Sequence, residues 1–315
     1  MMGERHCRVY SGLRNVELVG VADLDAERGK LIASRYDTRC FEDYRDLLSR
    51  VDAVSIATAT PAHFPLALES LENDVHVLVE KPITETIDQA RALIETAKKR
   101  NLVLQVGHIE RFNPAFIELE RVIKGMSIFA INIRRLSPFD TSNTDVDVIR
   151  DLMIHDLDLA VALAGDKLEG ISAWGRSITT EAIDHAVANL SFRHGPIATL
   201  MASRVTEQKI RQIEIIAHGA YIEADLLSKS LMIHRRTLPQ YFDADKYRQE
   251  SIIERIHVPM AEPLVLELQH FVSAVRDGTP VRVPGEAGLK ALQLAQAISD
   301  QIVGLTILSD YEAGA

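Results

Sequence analysis

A lysine, a histidine and three acids carry the chemistry open to this chain. Glu80-Lys81-Pro82 follows the run Val75-His76-Val77-Leu78-Val79 with no spacer. Such a β-branched run is the pattern of a buried parallel strand, and open α/β sheets bind ligands beyond the carboxyl ends of their strands. A lysine there can reach a substrate, and the proline after it can fix the turn as a cis peptide. The same residues also suit a strand that ends in surface charge. Asp151 and His155 are four apart, which puts them on one face of a helix predicted over 148–163. A carboxylate so placed can orient the imidazole of a general base. The spacing also suits half of a metal site or a surface ion pair. No other histidine or cysteine cluster supplies further ligands, so no metal is expected. Asp23 ends the apolar run 16–22. It either accepts hydrogen bonds from an adenosine ribose, favouring NAD over NADP, or caps the next helix.

The elements that must position these residues follow from period and punctuation. Apolar runs at 16–22, 51–57, 75–79 and 103–106 alternate with helical spacing at 25–36, 44–49, 62–72 and from Thr86 onward. That alternation predicts a doubly wound parallel sheet. Asn73 is expected to cap its helix in the left-handed conformation, and Thr86 with Gln89 forms a capping box. From Gly107 the texture changes to long alternating runs at 128–136, 170–178, 185–192, 197–204, 212–217, 221–225, 230–235 and 252–258. These predict a large, mostly antiparallel sheet with one open face, joined partly by hairpin turns at His194-Gly195-Pro196 and His218-Gly219-Ala220. Helices over 263–276 and 286–302 close the chain. The boundaries expected are 1–108 for a dinucleotide-binding domain and 109–315 for an α/β substrate and oligomerisation domain. Trp174 is expected to pack, and the remaining histidines and both cysteines are read as structural.

Composition narrows the function classes. The chain has 315 residues, 47% of them apolar, enough for two cores. A net charge of −10 argues against nucleic acid or an anionic membrane surface as a partner. Two cysteines, Cys7 and Cys40, form no disulfide framework and fit a cytoplasmic setting. No apolar run reaches membrane-spanning length. A dinucleotide domain should open with an apolar strand and a G-x-G-x-x-G turn. Only Gly3 is available, with Met1 and Met2 before it, so the first strand and two glycines are expected upstream of residue 1.

Taken together, Gly3-Glu4-Arg5-His6, Ala57-Thr58-Ala59-Thr60-Pro61-Ala62-His63, Glu80-Lys81-Pro82 and Asp151-x-x-x-His155 resemble, in order and spacing, the Gfo/Idh/MocA oxidoreductase family. The resemblance implies a Rossmann domain followed by an α/β domain, NAD as cofactor, and homodimers or homotetramers. It implies that Lys81 hydrogen-bonds the reacting hydroxyl, that Glu80 lies beside the nicotinamide, and that His155 is the base with Asp151 its helix partner. Thr58 and His63 match the cofactor-lining loop, Asp23 the ribose-binding acid, and Gly3 the last glycine of the turn. The activity implied is oxidation of a secondary hydroxyl of a sugar. The segments 106–114 and 134–139 resemble the branch that includes UDP-N-acetylglucosamine 3-dehydrogenases, with Arg111, Asn113 and Arg134 as candidate substrate contacts. Arg134 and Arg135 point to opposite sheet faces, so only one can meet a diphosphate. Inositol dehydrogenases and non-catalytic dinucleotide-binding relatives are the alternatives.

Overall fold

Strand β4 (His76–Glu80) shows why a near-continuous apolar run becomes a central parallel strand. Val77 and Val79 pack with Leu71, Leu93, Val106 and Val283 on one side, while Leu78 packs with Val9, Leu264, Leu268 and Phe271 on the other. Burying each of these side chains contributes about 1.5–3 kcal/mol, so both faces hold the strand. The computed structural model describes residues 2–140, 146–165, 167–236, 240–243, 246–248 and 251–313, with 236, 240–243, 246–248 and 305–313 described in their backbone alone. The chain divides into two compact units, 1–112 with 261–292 and 113–260 with 293–315.

In the first unit, β3 (Ala53–Ile56), β4 and β5 (Leu104–Gly107) pair in parallel in that order, and β1 (Gly20–Ala22) pairs in parallel with β2 (Arg39–Phe41). Among the described residues no strand joins these two sheets. Helices α1 (Met2–Gly12), α2 (Ala26–Arg35), α3 (Arg45–Leu48), α4 (His63–Glu72) and α5 (Ile87–Arg100) alternate with the strands as the pattern requires. The capping box is present at the start of α5, where Thr86 Oγ accepts from the Gln89 amide and the Gln89 side chain accepts from the Thr86 amide. After α4 the left-handed residue is Asp74, with φ 62°, and not Asn73, with φ −98°. The Asn73 side chain instead donates to the Glu69 carbonyl at 2.8 Å, which keeps that residue near the helix.

The second unit centres on an eight-stranded sheet in the order β15-β12-β11-β10-β6-β9-β8-β7. Its strands are β6 (Ile128–Leu136), β7 (Leu168–Arg176), β8 (His185–Phe192), β9 (Ile197–Ser203), β10 (Ile210–Ala217), β11 (Ala220–Asp225), β12 (Ser230–Arg236) and β15 (Ser251–Ile256). Between the last two lies a small hairpin, β13 (Gln240–Asp243) and β14 (Lys246–Arg248). All neighbours in the large sheet run antiparallel except β6 and β9. Helices α6 (Pro114–Ile123) and α7 (Ile154–Ala164) belong to this unit, and one sheet face is buried through Ile131, Ile133, Ala173, Leu200, Ile213 and Ile215. The opposite face carries Trp174, which is 55% exposed, so the packing expected of it is only partial. Strand alternation alone directs it outward, because Ala173 and Gly175 take the inner positions on β7.

Two further expectations change. The helix predicted over 148–163 opens as a π-helix over Ile149–Met153 before α7 begins. Residues 261–292, assigned by sequence to the second domain, pack with the first, and that unit runs to Phe112 rather than 108. The cause is α8 (Pro263–Asp277), whose Leu264, Leu268 and Phe271 complete the core under Val9 and Leu78. Helix α9 (Gly285–Ala313) closes the chain.

Candidate active site

Glu80 ends β4 directly opposite Gly107 of β5. Its carboxyl folds over that glycine so closely that a Cβ there would lie 2.9 Å from Oε2 and 3.1 Å from the Glu80 Cα. Only glycine admits this approach. The buried carboxylate accepts from His6 Nε2 at 3.1 Å and from the Lys81 amide at 3.2 Å. Lys81 is therefore presented from a turn whose preceding residue is fixed on three sides. The Lys81–Pro82 peptide is cis.

His63 secures the other side of this turn. Its ring lies between the Pro82 carbonyl, 2.8 Å from Nδ1, and the Thr58 carbonyl, 3.2 Å from Nε2. The side chain is buried, so His63 ties the 58–62 loop to the Lys81–Pro82 turn, while Thr58 itself is exposed. At the end of β1 the capping reading of Asp23 is excluded by its neighbour. Asp25 caps α2 by accepting from the Arg28 amide at 3.1 Å. Asp23 is left at the strand end, paired with Arg28 at 2.5 and 2.7 Å. The Arg28 side chain holds its carboxyl below the usual range, against the opposing effect of partial burial.

In the second unit Asp151 lies in the π-helix and His155 in the first turn of α7, both half-buried. Their spacing thus spans a junction, and π-helical turns recur at functional sites. The junction is anchored at both ends. Asp147 Oδ1 accepts from the Arg150 amide at 2.7 Å, its carbonyl accepts from the Asp151 amide at 3.0 Å, and the Arg150 guanidinium donates to Gln296. Beside His155, Asp156 forms a buried ion pair with Arg135 of β6, with N–O distances of 2.8–3.0 Å. A second buried pair, Arg204 with Asp184 at 3.4 Å, ties β9 to the 178–184 loop, and Arg204 also donates to the carbonyls of Val146 and Ile183.

The structure does not bring every candidate to these groups. Arg135 faces α7, so Arg134 lies on the opposite sheet face, where it bonds Gln212 and Glu214. Asn113 is buried as the cap of α6, accepting from Ala115 at 3.1 Å and donating to the Leu226 carbonyl at 3.0 Å. Arg111 sits in a 3-10 turn over Ile109–Phe112 whose carbonyl accepts from Arg282 at 2.8 Å. Among the described residues no group of three or more metal-ligating side chains is placed to hold an ion.

The first unit fits a dinucleotide at two points. Asp23 places a carboxylate at the end of β1, and the missing side chain of Gly107 makes room for the Glu80 carboxyl next to Lys81 at the ends of β4 and β5. At Gly3 a Cβ would make only an ordinary 3.9 Å contact with Ala57, so crowding does not demand glycine there.

Comparison with known proteins agrees with this geometry. Residues 1–108 match the family model described as oxidoreductase family, NAD-binding Rossmann fold, and residues 134–223 match the GFO/IDH/MocA C-terminal domain. The UDP-N-acetylglucosamine 3-dehydrogenase of Acidithiobacillus ferrooxidans is 35% identical over 93% of this chain and 92% of its own length. A solved structure of that enzyme superposes with a TM-score of 0.88 at 34% identity, covering 96% of this chain and 94% of the other. Myo-inositol 2-dehydrogenase of Thermotoga maritima is 26% identical over 94% of this chain and 92% of its own. The chain belongs to the Gfo/Idh/MocA family, oxidoreductases that bind NAD in a Rossmann domain.

Sequence reasoning passed over Gly107 as a site residue, the pair Arg135–Asp156, and Glu267. Glu267 could have been found. It shares a helical stripe with Leu264, Leu268 and Phe271 at i+3 and i+4 spacing, where a carboxyl must be buried. Nothing in the local sequence marks Gly107, since the crowding comes from the neighbouring strand.

Proposed function

We propose that this chain oxidises a secondary hydroxyl of the sugar of a UDP-linked N-acetylhexosamine, taking NAD as hydride acceptor. The observation that carries the reading is the similarity, along nearly the whole chain, to UDP-N-acetylglucosamine 3-dehydrogenase. NAD, when bound, supplies the acceptor for the hydride. His155 takes the hydroxyl proton as general base, and Asp151 holds the imidazole in its working orientation and stabilises the imidazolium. Lys81 donates to the same oxygen as the carbonyl forms, stabilising charge where it develops. Glu80, Asp23 and the loop tied down by His63 orient the cofactor. Arg111 remains a candidate for the diphosphate, whereas Arg134 is dropped because it faces away from α7. The open sheet face bearing Trp174, Ile197 and Ile216 is proposed as the contact between copies of this chain, in a homodimer or homotetramer of the cytoplasm. No helix among the described residues is long and apolar enough to cross a membrane.

The test is NADH formation, followed by absorbance, with UDP-N-acetylglucosamine, UDP-glucose, free N-acetylglucosamine and myo-inositol. Turnover with the first, and at least tenfold less kcat/KM with the others, is expected. Preference for myo-inositol would transfer the assignment to the cyclitol branch of the family.

A further inference from the structure

The apolar stripe of α8 contains one acid. Glu267 is fully buried, and neither of its carboxyl oxygens meets a hydrogen-bonding partner among the described residues. Its neighbours on the stripe, Leu264, Leu268 and Phe271, enter the core with Val9 and Leu78. In the same unit His6 Nδ1 is also buried without a partner, while His6 Nε2 bonds Glu80. An orphaned buried polar atom loses its hydration without a replacement partner, so such a group demands a reason.

The elements packed against α8 supply few compensating charges. From α1 come His6, the buried thiol of Cys7, and Tyr10, whose hydroxyl is occupied by Ser55 at 2.7 Å. From β4 comes Glu80. The 3-10 turn adds Glu110 and Arg111, with the buried His108 just before it. On α8 itself, His270 contacts Gln105 at 3.3 Å, and burial, then the charge of Arg282, push its ring towards the neutral form. Glu267 forms no ion pair with any described residue. Burial first, and the negative charge of Glu80 second, push its carboxyl well above the ordinary carboxylate range.

We propose that Glu267 is a positioning residue whose buried, unpartnered carboxyl keeps its proton in the folded chain, which lets Glu80 keep its place beside Lys81. The role in catalysis rests on the reading of Lys81 given above. The proton itself does not. With Glu267 ionised, two carboxylates would repel within one water-poor interior, and Glu80 would be driven from the Gly107 backbone and the Lys81 amide.

The decisive experiment is the pH dependence of urea unfolding for the wild type, Glu267→Gln and Glu80→Gln. A raised acid holds in the folded state a proton that the unfolded chain releases, so stability falls as pH rises from the carboxylate range through the folded value. In Glu267→Gln this slope should flatten by about one proton. In Glu80→Gln the loss should begin at the same pH but end at a lower one and be smaller in total, because the folded value falls once the neighbouring negative charge is gone. Curves parallel to the wild type in both variants would overturn the proposal, and a flattened Glu267→Gln slope without the Glu80→Gln shift would overturn the pairing. Should Glu267→Gln fail to fold, Glu267→Leu removes the same titration while restoring an apolar stripe. Where turnover is present, the alkaline limb of kcat/KM should move upward by at least one pH unit in Glu267→Gln. An unmoved limb would leave the proton real but remove its positioning role. Absence of turnover in the wild type would overturn the catalytic reading, while the unfolding curves still decide the proton.

Discussion

The two units hold their reacting groups by different means. In the first, the Lys81 turn is fixed by hydrogen bonds that leave few full charges buried: His6 and a backbone amide on Glu80, and the His63 ring between two carbonyls. In the second, a buried ion pair of Arg135 with Asp156 holds the helix of His155, and another, Arg204 with Asp184, ties β9 to the 178–184 loop. A hydrogen-bonded turn degrades gradually when one contact is lost. A buried ion pair does not, because removing one partner leaves a naked charge.

The sharpest way to break this contrast is Arg135→Leu, which strands Asp156 in the interior. It should cost about 3–5 kcal/mol, read as a lowered urea midpoint at unchanged m. The double variant Arg135→Met with Asp156→Leu should regain most of that loss, and failure to do so would mean that the pair is not the anchor. Next comes Lys81→Ala, for which kcat should fall by roughly 10²–10³ with NADH affinity close to the wild type by calorimetric titration. Unchanged turnover would remove Lys81 from the chemistry.

A third test uses acid. Burial opposes ionisation of Asp184, but the amides of Thr180, Thr179 and Ile178 and the Thr180 hydroxyl outweigh it and hold the carboxyl at about 2. A depressed acid contributes stability above its unfolded value that disappears as pH falls through the folded one. The wild type should therefore lose about 2 kcal/mol more than Asp184→Asn between pH 4 and pH 2, measured by urea unfolding. Smaller effects belong to the first unit. His63→Ala should cost about 1–2 kcal/mol of stability and lower kcat through the loosened turn. Asp23→Ser should shift the NAD-to-NADP ratio of kcat/KM by about tenfold towards NADP. The shift should exceed that of Asp23→Ser made together with Arg28→Ala, because Arg28 is released to meet a 2′-phosphate.

What could be read from sequence divides along the same physical line. Strands showed themselves wherever burial on one or both faces writes a pattern: 128–136 and 185–192 coincide with β6 and β8 to the residue. The capping box at Thr86 was legible because its partners lie three residues apart. Features that depend on distant partners were not. Alternation cannot show that β6 runs parallel to β9, that Asp25 rather than Asp23 caps α2, or that α8 docks in the first unit. The π-helix before α7 is invisible to a search for α-helical spacing, since Asp151 and His155 satisfy that spacing on paper. Arg134 and Arg135 were correctly separated by strand geometry, but their partners Glu214 and Asp156 chose which one points towards α7.

The docking of α8 also sets an order of assembly. Val9 and Leu78 emerge from the ribosome early, and the side chains that cover them, Leu264, Leu268 and Phe271, emerge only after all of 113–260. Contacts so far apart in the chain close slowly, and apolar surface left bare in the meantime invites aggregation. During synthesis the nascent first unit thus waits with an open flank, while the second can form its sheet once β15 appears and gains only the segment from Gln293 afterwards. Chaperone dependence and the toxicity of carboxy-terminal truncations should therefore trace to the amino-terminal half, although the missing residues lie at the other end.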